Sequence, residues 1–281
     1  MRLTILSGKG GTGKTLISTN LAVFIAHKTK HTVTYIDADV EEPNGTIFLS
    51  ALFDTTQDVT VPVPHLRTGS IDIQTARQVA HACVYNALVP AGASLQIYSE
   101  LCHSCGVCTY LAGEALEEIP RTIGTIRRGM YNTVLVIEGR LNIGEIRATP
   151  LIKELLDYTD TTDITIIDAP PGCSCSVMES LSSSQKALLV TEPTDFGLHD
   201  LKKAVQLVKA FSLPYAVIIN RSDIGNDNVY HYLRNNFPII AEIPFDDTIS
   251  SAYLESRPVG DASQALNTAL KSITLWLEDM P

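Results

Sequence analysis

Aromatic residues are scarce in this sequence, at 6%, and there is a single tryptophan. Positive charge is scarce too: 21 Lys and Arg stand against 31 Asp and Glu, for a formal net charge of -10. General nucleic-acid binders are usually basic, so a nucleic-acid partner is not expected. No apolar run approaches the roughly 20 residues of a membrane span. No leader is expected, since Met1 to Ser7 runs straight into a glycine loop. A cytoplasmic location is expected. In that compartment the six cysteines read as metal ligands or reactive thiols before disulfides.

One further absence is local. In "LCHSCGVCTYLAGEALEEIP", Cys102, Cys105 and Cys108 keep the C-x2-C-x2-C spacing of a bacterial ferredoxin run. The usual fourth cysteine and its following proline are missing, and Ala112 and Gly113 stand there.

The 281 residues suffice for one large α/β domain, or for one domain carrying an insert. The segments "RLTILS", "TVTYIDAD", "TVLVIEG", "ITIIDAP", "KALLVTEP", "YAVIIN" and "IIAEIP" are apolar and of strand length. Helix-like stretches such as "GLHDLKKAVQLVKAF" separate most of them. Continuous Val/Ile/Leu runs alternating with amphipathic helices predict a mostly parallel sheet with helices on both faces. The span 61–129 breaks this rhythm and is expected to be an insert, with 1–60 and 130–281 forming the flanking domain. Near the C-terminus, Leu266, Ala269, Leu270, Ile273 and Trp276 recur at helical spacing. The polar face there is not basic, so a helix packed on the sheet is expected rather than one lying on a membrane.

"GKGGTGKT" fits G-x-x-x-x-G-K-[ST] between a strand and a helix. Gly8, Lys9, Gly10, Gly11, Thr12, Gly13, Lys14 and Thr15 are therefore expected to bind nucleotide. The glycines let backbone N–H groups curl round phosphate oxygens at a helix start. Lys14 is expected to reach the β- and γ-phosphates, and the Thr15 hydroxyl to ligate Mg²⁺.

With its early Lys9, the K-G-G-x-G-K-T form resembles the phosphate loop of the MinD/ParA/nitrogenase-iron-protein superfamily. That resemblance implies ATP-coupled, face-to-face homodimerisation, with Lys9 acting across the dimer as a second catalytic lysine beside Lys14. "YIDADVEEPN" resembles the family's first switch, which implies that Asp39 orients the attacking water and Asp37 sits nearer the metal. "IIDAPPG" resembles its Walker B strand and second switch, so Asp168 would hold Mg²⁺ through water. "VIINRSD" resembles the base-recognition strand end, which brings in Asn220 and Arg221. Asp223 looks like the last acid of a guanine-reading N-K-x-D, but Arg221 replaces the Lys, and ATP is favoured over GTP.

"IEGRLNIGEIRATPLI", "VTEPTDFGLHDLKKAV" and "DAPPGCSC" extend the likeness over nearly the whole chain. Together they resemble MinD-type ATPases with an inserted ferredoxin domain. The implied fold is a P-loop α/β domain with a small ferredoxin-like α+β insert. Such inserts show two C-x2-C-x2-C-x3-C runs, the fourth cysteine of each binding the other run's cluster. On that pattern Cys83 in "HACVYNALV" is the fourth cysteine of the first run, with Ile73, Ala76 and Val79 where its other three would stand. One cluster would need Ile73, Ala76, Val79 and Ala112 to be cysteines, and none is. The other needs Cys83, Cys102, Cys105 and Cys108, and all are present. A single [4Fe–4S] cluster is expected, with zinc, aided by His81 or His103, and a metal-free site as rivals.

Cys173 and Cys175 follow the second switch. A metal bridging the dimer is one reading of them, and two small buried residues after a tight turn is the other. For the cluster and ATPase together, three roles stand open: redox coupling to an unknown protein or electron-transfer partner, positioning or assembly with the insert as an interaction module, and cluster carriage.

Overall fold

The computed structural model describes residues 1–159, 162–255 and 257–279. In chain order the elements begin with β1 (Arg2–Leu6), α1 (Lys14–Lys28), β2 (Val33–Asp37), α2 (Gly45–Phe48) and β3 (Leu52–Leu66). Next come α3 (Ile73–Ala82), β4 (Leu88–Ala91), β5 (Ser94–Ile97), α4 (Val107–Ala112), β6 (Leu116–Tyr131) and β7 (Val134–Leu141). Then follow α5 (Ala148–Leu156), β8 (Ile164–Asp168), α6 (Cys175–Ser182), β9 (Lys186–Thr191), α7 (Asp195–Ala210) and β10 (Tyr215–Asn220). The chain closes with α8 (Asp227–Asn236), β11 (Ile239–Ile243), α9 (Asp247–Leu254) and α10 (Gln264–Glu278).

The main sheet runs β11-β10-β9-β1-β8-β2-β7-β6-β3. From β11 to β7 every pairing is parallel. β6 and β7 are sheet neighbours joined by two residues, a connection only an antiparallel hairpin can make. Asn132 in that turn takes φ 50°, as the tight hairpin requires.

Two compact units divide the chain. The first comprises Met1–Gln57, Ile126–Arg140 and Ile152–Pro281, and the second Asp58–Thr125 with Leu141–Leu151. In the first unit successive residues of each strand enter opposite cores. Leu3 and Ile5 of β1, with Ala216 and Ile218 of β10, pack with α1 and α10. Leu6, Val217 and Ile219 pack with α6, α7 and α8. The period of two along a strand buried on both faces accounts for the unbroken apolar runs. Of the C-terminal positions, Leu266, Ala269, Leu270 and Ile273 are buried in the α1-side core, and Trp276 is partly buried against it.

The second unit has its own small core of Ile71, Ala76, Val79, Leu88, Leu95 and Leu116, with Cys83, Cys108 and Ala112 packed against it. Asp72 caps α3 by accepting from Thr75 N–H. Three of the four positions that would hold a second cluster, Ala76, Val79 and Ala112, thus serve apolar packing. The fourth, Ile73, is exposed. Leu141–Leu151, expected in the sheet domain, belongs to this second unit. Within it Ala148 and Leu151 are buried, but so is the Glu145–Arg147 ion pair, while Ile143 and Ile146 are exposed, a mixture that hydrophobic patterning does not assign.

Candidate functional site

The loop Gly8–Thr15 connects β1 to α1, and Lys14 is the first helical residue. Gly13 has φ 94°, and a Cβ there would stand 2.3 Å from the Asn220 amide nitrogen. Only glycine meets both demands. Asn220, at the end of β10, donates through Nδ2 to the Thr12 carbonyl at 2.8 Å. The Thr12 hydroxyl is buried and, among the described residues, has no hydrogen-bond partner.

Acidic side chains gather where the neighbouring parallel strands end. In the sheet register Asp37 lies beside Asp168. Lys14 Nζ is 3.1 Å from Asp168 Oδ1 and 4.0 Å from Asp39 Oδ2. Burial alone would lower the Lys14 pKa, but the charges of Asp168 and Asp39 outweigh it and the net shift is upward. Burial pushes the Asp37 carboxyl well up, and the adjacent Asp168 adds to this. Burial likewise lifts Asp39 to about 6 against the pull of Lys14. Asp37 Oδ2 accepts from Gly45 N–H at 2.7 Å, and Tyr35 donates its phenol to Asp168 Oδ2 at 3.1 Å. Three carboxylates thus face one ammonium, an excess of negative charge that suits a divalent cation.

Lys9 Nζ lies 3.1 Å from Glu192 Oε2, just beyond β9. Arg221, at φ 49°, holds the other oxygen of that carboxylate at 2.6 Å. The cleft beside the loop, about 620 Å³, is lined by Lys14, Thr15, Asp39, Asn220, Arg221 and Phe245 among others. Asp223 Oδ1 accepts the Phe245 N–H at 2.6 Å, so this oxygen is already committed to the backbone.

In the second unit Cys83, Cys102, Cys105 and Cys108 line one small cavity. Cys83 is the C-cap of α3, while Cys102 and Cys105 lie on the turn before α4 and Cys108 in its first turn. Ser104 (φ 54°) and Gly106 (φ 72°) are both left-handed and wind the chain round the thiols. Ser104 N–H donates to Cys102 Sγ at 3.4 Å. Burial pushes the Cys108 thiol up to about 11, and the neighbouring Cys102 and Cys105 sulfurs contribute. His103 stacks on Tyr85, with ring centroids 3.6 Å apart. Among the described residues no three His, Cys, Asp or Glu side chains converge tightly enough for a single metal ion. Cys173 and Cys175 lie in the first unit, at and just before the start of α6, and both are exposed rather than buried.

Residues 3–259 match the family described as CobQ/CobB/MinD/ParA nucleotide binding domain. The chain belongs to that family. As an enzyme it is a P-loop ATPase of the MinD/ParA class. The uncharacterized protein MJ0579 of Methanocaldococcus jannaschii is 29% identical over 261 residues, 92% of this chain and 90% of that one. An iron-sulfur cluster carrier protein of Pyrococcus furiosus is 26% identical over 230 residues, 78% of this chain and 60% of its own. In fold, the crystal structure of the Pyrococcus furiosus cell division ATPase MinD matches with a TM-score of 0.60 at 19% identity, covering 98% of each chain.

Several contacting residues lie inside the MinD/ParA-like stretches without being marked there as site residues. Tyr35 and Glu192 contact Asp168 and Lys9 respectively, and Arg147 reaches the cysteine turn. Glu192 had one available clue: it follows an apolar strand, and ligands of open α/β sheets gather beyond the carboxyl ends of strands. Among the described residues no helix is long and apolar enough to cross a membrane.

Proposed function

We propose that this chain is a nucleotide-gated, homodimeric Mg-ATPase that carries one [4Fe–4S] cluster on Cys83, Cys102, Cys105 and Cys108. The cluster would sit in a ferredoxin-like insert, taken as residues 61–129 and joined by Leu141–Leu151, within a P-loop domain taken as 1–60 and 130–281 less that segment. The observation that carries the reading is the meeting of four thiols, from two separate stretches of sequence, around one cavity. An all-thiolate donor set, a backbone N–H aimed at a sulfur and a left-handed wrap suit an iron–sulfur cubane. Three of the thiols at successive x2 spacing, in place of two separated C-x2-C knuckles, favour the cubane over zinc. When bound, the cluster supplies one-electron storage.

At the nucleotide site the chain's own residues divide the work. Lys14, now neutralised by Asp168, would exchange that carboxylate for the β- and γ-phosphate oxygens of ATP. The loop's backbone N–H groups, from Gly8 through Thr15, cradle the phosphates, and the orphaned Thr12 hydroxyl gains an acceptor. Thr15, Asp37 and Asp168 are the residues to hold Mg²⁺, which supplies neutralising charge. Asp39 orients the attacking water. Asn220 and Arg221 face the base end. Lys9 leaves Glu192 and reaches the nucleotide of the partner subunit, offsetting charge that develops in transfer. ATP-driven closure of the dimer then alters the cluster's exposure or its docking to a protein partner.

Cluster carriage is the second reading, favoured by the exposure of Cys105 and by relatives named as iron-sulfur cluster carriers. Iron, sulfide and EPR measurements on anaerobic protein, with and without ATP, test both. A cluster signal that changes with nucleotide supports redox coupling. Quantitative transfer of iron and sulfide to an apo acceptor, with no change in potential, would replace it by carriage. Protein that takes up no iron would overturn both.

A further inference from the structure

The segment Leu141–Leu151 lies in the same compact unit as the four cysteines, and between Ile143 and Arg147 its burial pattern is inverted. Ile143 is fully exposed and Ile146 largely so. The side chains of Glu145 and Arg147 are 1% and 6% exposed. Glu145 takes Arg147 in a two-pronged grip, with Nε on Oε1 at 2.7 Å and Nη2 on Oε2 at 3.1 Å. Arg121, on β6, pairs with the same carboxylate. Burial by itself would raise the Glu145 pKa, but the hydrogen bonds and charge of Arg147, with Arg121, outweigh it and hold it low.

The free end of Arg147 points at the cysteines' own turn. Nη1 donates to the Cys102 carbonyl oxygen and, at 3.3 Å, to Ser104 Oγ. Ser104 is the left-handed residue whose N–H serves the Cys102 sulfur. Two guanidinium groups face one carboxylate here, so the network keeps a positive excess. Burying ion pairs while two isoleucines stay in water gives up stability that an apolar arrangement would supply. What the arrangement secures instead is a rigid cation against the Cys102–Cys105 turn.

We infer that Arg147 is a positioning residue for the cysteine site, aimed by Glu145. It fixes the Cys102–Cys105 turn in its cluster-receiving shape and sets a positive charge beside an anionic, thiolate-bound cluster. This rests on the reading of the four cysteines as cluster ligands. One-electron reduction by dithionite adds one negative charge to the cluster and breaks no bond, so a nearby cation favours the reduced form. Residues just outside a metal's ligands typically change its retention about 10–100-fold when lost.

The test uses the full chain, reconstituted anaerobically, as wild type, Arg147→Gln and Arg147→Lys. Iron loss to a chelator and the EPR-monitored dithionite titration are read for each. Arg147→Gln is expected to lose iron about 10–100-fold faster and to reduce at a lower midpoint potential. Arg147→Lys, which keeps the charge without the fork, should lose iron faster but hold its midpoint near wild type. A merely structural role would speed iron loss in both and move neither midpoint, and that result overturns the inference, as does wild-type retention in Arg147→Gln. If Arg147→Gln does not fold, Glu145→Gln takes its place. It frees Arg147 from its aim, so iron should be lost faster, while removing a negative charge should hold the midpoint at or above wild type. Wild-type retention or a lowered midpoint in that variant overturns the inference. If the wild type takes up no iron, the cluster reading fails by itself. The positioning role is then read in the apo protein from iodoacetamide alkylation of buried Cys102, which Arg147→Gln should accelerate and whose unchanged rate would overturn it.

Discussion

In the nucleotide loop two left-handed glycines, Gly11 and Gly13, lead into α1, and in the cysteine turn Ser104 and Gly106 lead into α4. Both loops wrap a helix start, yet they are completed differently. The nucleotide loop finds its counter-charges on adjacent strand ends, Asp37 on β2 and Asp168 on β8. A parallel sheet delivers such residues to one edge wherever the strands happen to lie in sequence. The cysteine turn does not stand at the ends of the parallel strands; Pro62 and Pro64 of β3 and Glu118 of β6 only line its cavity. Its fourth thiol arrives from the end of α3 and its cation from a chain segment that follows β7. A site at a sheet edge is thus assembled by the fold in general, while the cysteine site depends on a few particular long-range contacts. It should therefore be the more easily broken by single substitutions remote in sequence.

The largest expected effect tests that contrast directly. Cys83→Ser should bring iron content to background as completely as Cys105→Ser does, although Cys83 lies outside the C-x2-C-x2-C run. Retained iron in Cys83→Ser would remove it from the ligand set. The counterpart is Lys14→Ala, which should weaken ATP binding by 100-fold or more, since stripping one partner from a buried charged contact costs about 3–5 kcal/mol. Calorimetric titration with Mg-ATP reads it, and an affinity within a few-fold of wild type would show that Lys14 does not reach the phosphates.

The same contrast governs what the sequence made legible. The strands from β7 to β11, with β1 and β2, are continuous apolar runs because both faces are covered. The phosphate loop is local text. β3 and β6 were not recognised as strands. β3 is the last strand in the sheet order and carries Pro62 and Pro64, which a strand tolerates only at an edge. Its one signal was the alternation of buried Val59, Val61 and Val63. In the cysteine unit the family likeness pointed to Cys83, and it took in the stretch containing Arg147 without marking that residue. Its segment exposes Ile143 and Ile146 and buries charge, the reverse of the pattern by which burial is inferred.

Within the nucleotide site a second comparison separates its two lysines. Lys14 is buried among acids of its own chain, whereas Lys9 is about one-third exposed on Glu192. If Lys9 serves the partner's nucleotide, Lys9→Ala should leave Mg-ATP affinity within several-fold. Turnover should fall by about three orders of magnitude, the scale of an arginine finger supplied in trans. ATP-dependent dimer formation, followed by light scattering, should weaken with it. Normal turnover in this variant would confine Lys9 to its own chain's loop.

The smallest effect concerns what restrains Lys9. Glu192 holds Lys9 and Arg221 through its two oxygens, so Lys9 must leave this carboxylate before it can act elsewhere. The contact is partly solvated, and ion pairs of that kind contribute about 0.2–1 kcal/mol. Glu192→Gln keeps the shape and removes the charge, so it should raise ATP-dependent dimerisation and turnover by roughly up to fivefold, the factor equivalent to that energy. Arg221→Gln is the matched control, because it strips the carboxylate of one partner while leaving Lys9 in place. An increase confined to Glu192→Gln locates the restraint on Lys9. Equal increases in the two variants would place it on Arg221 and the base end of the cleft, and a fall in Glu192→Gln would make the carboxylate a support for the loop, not a restraint upon it.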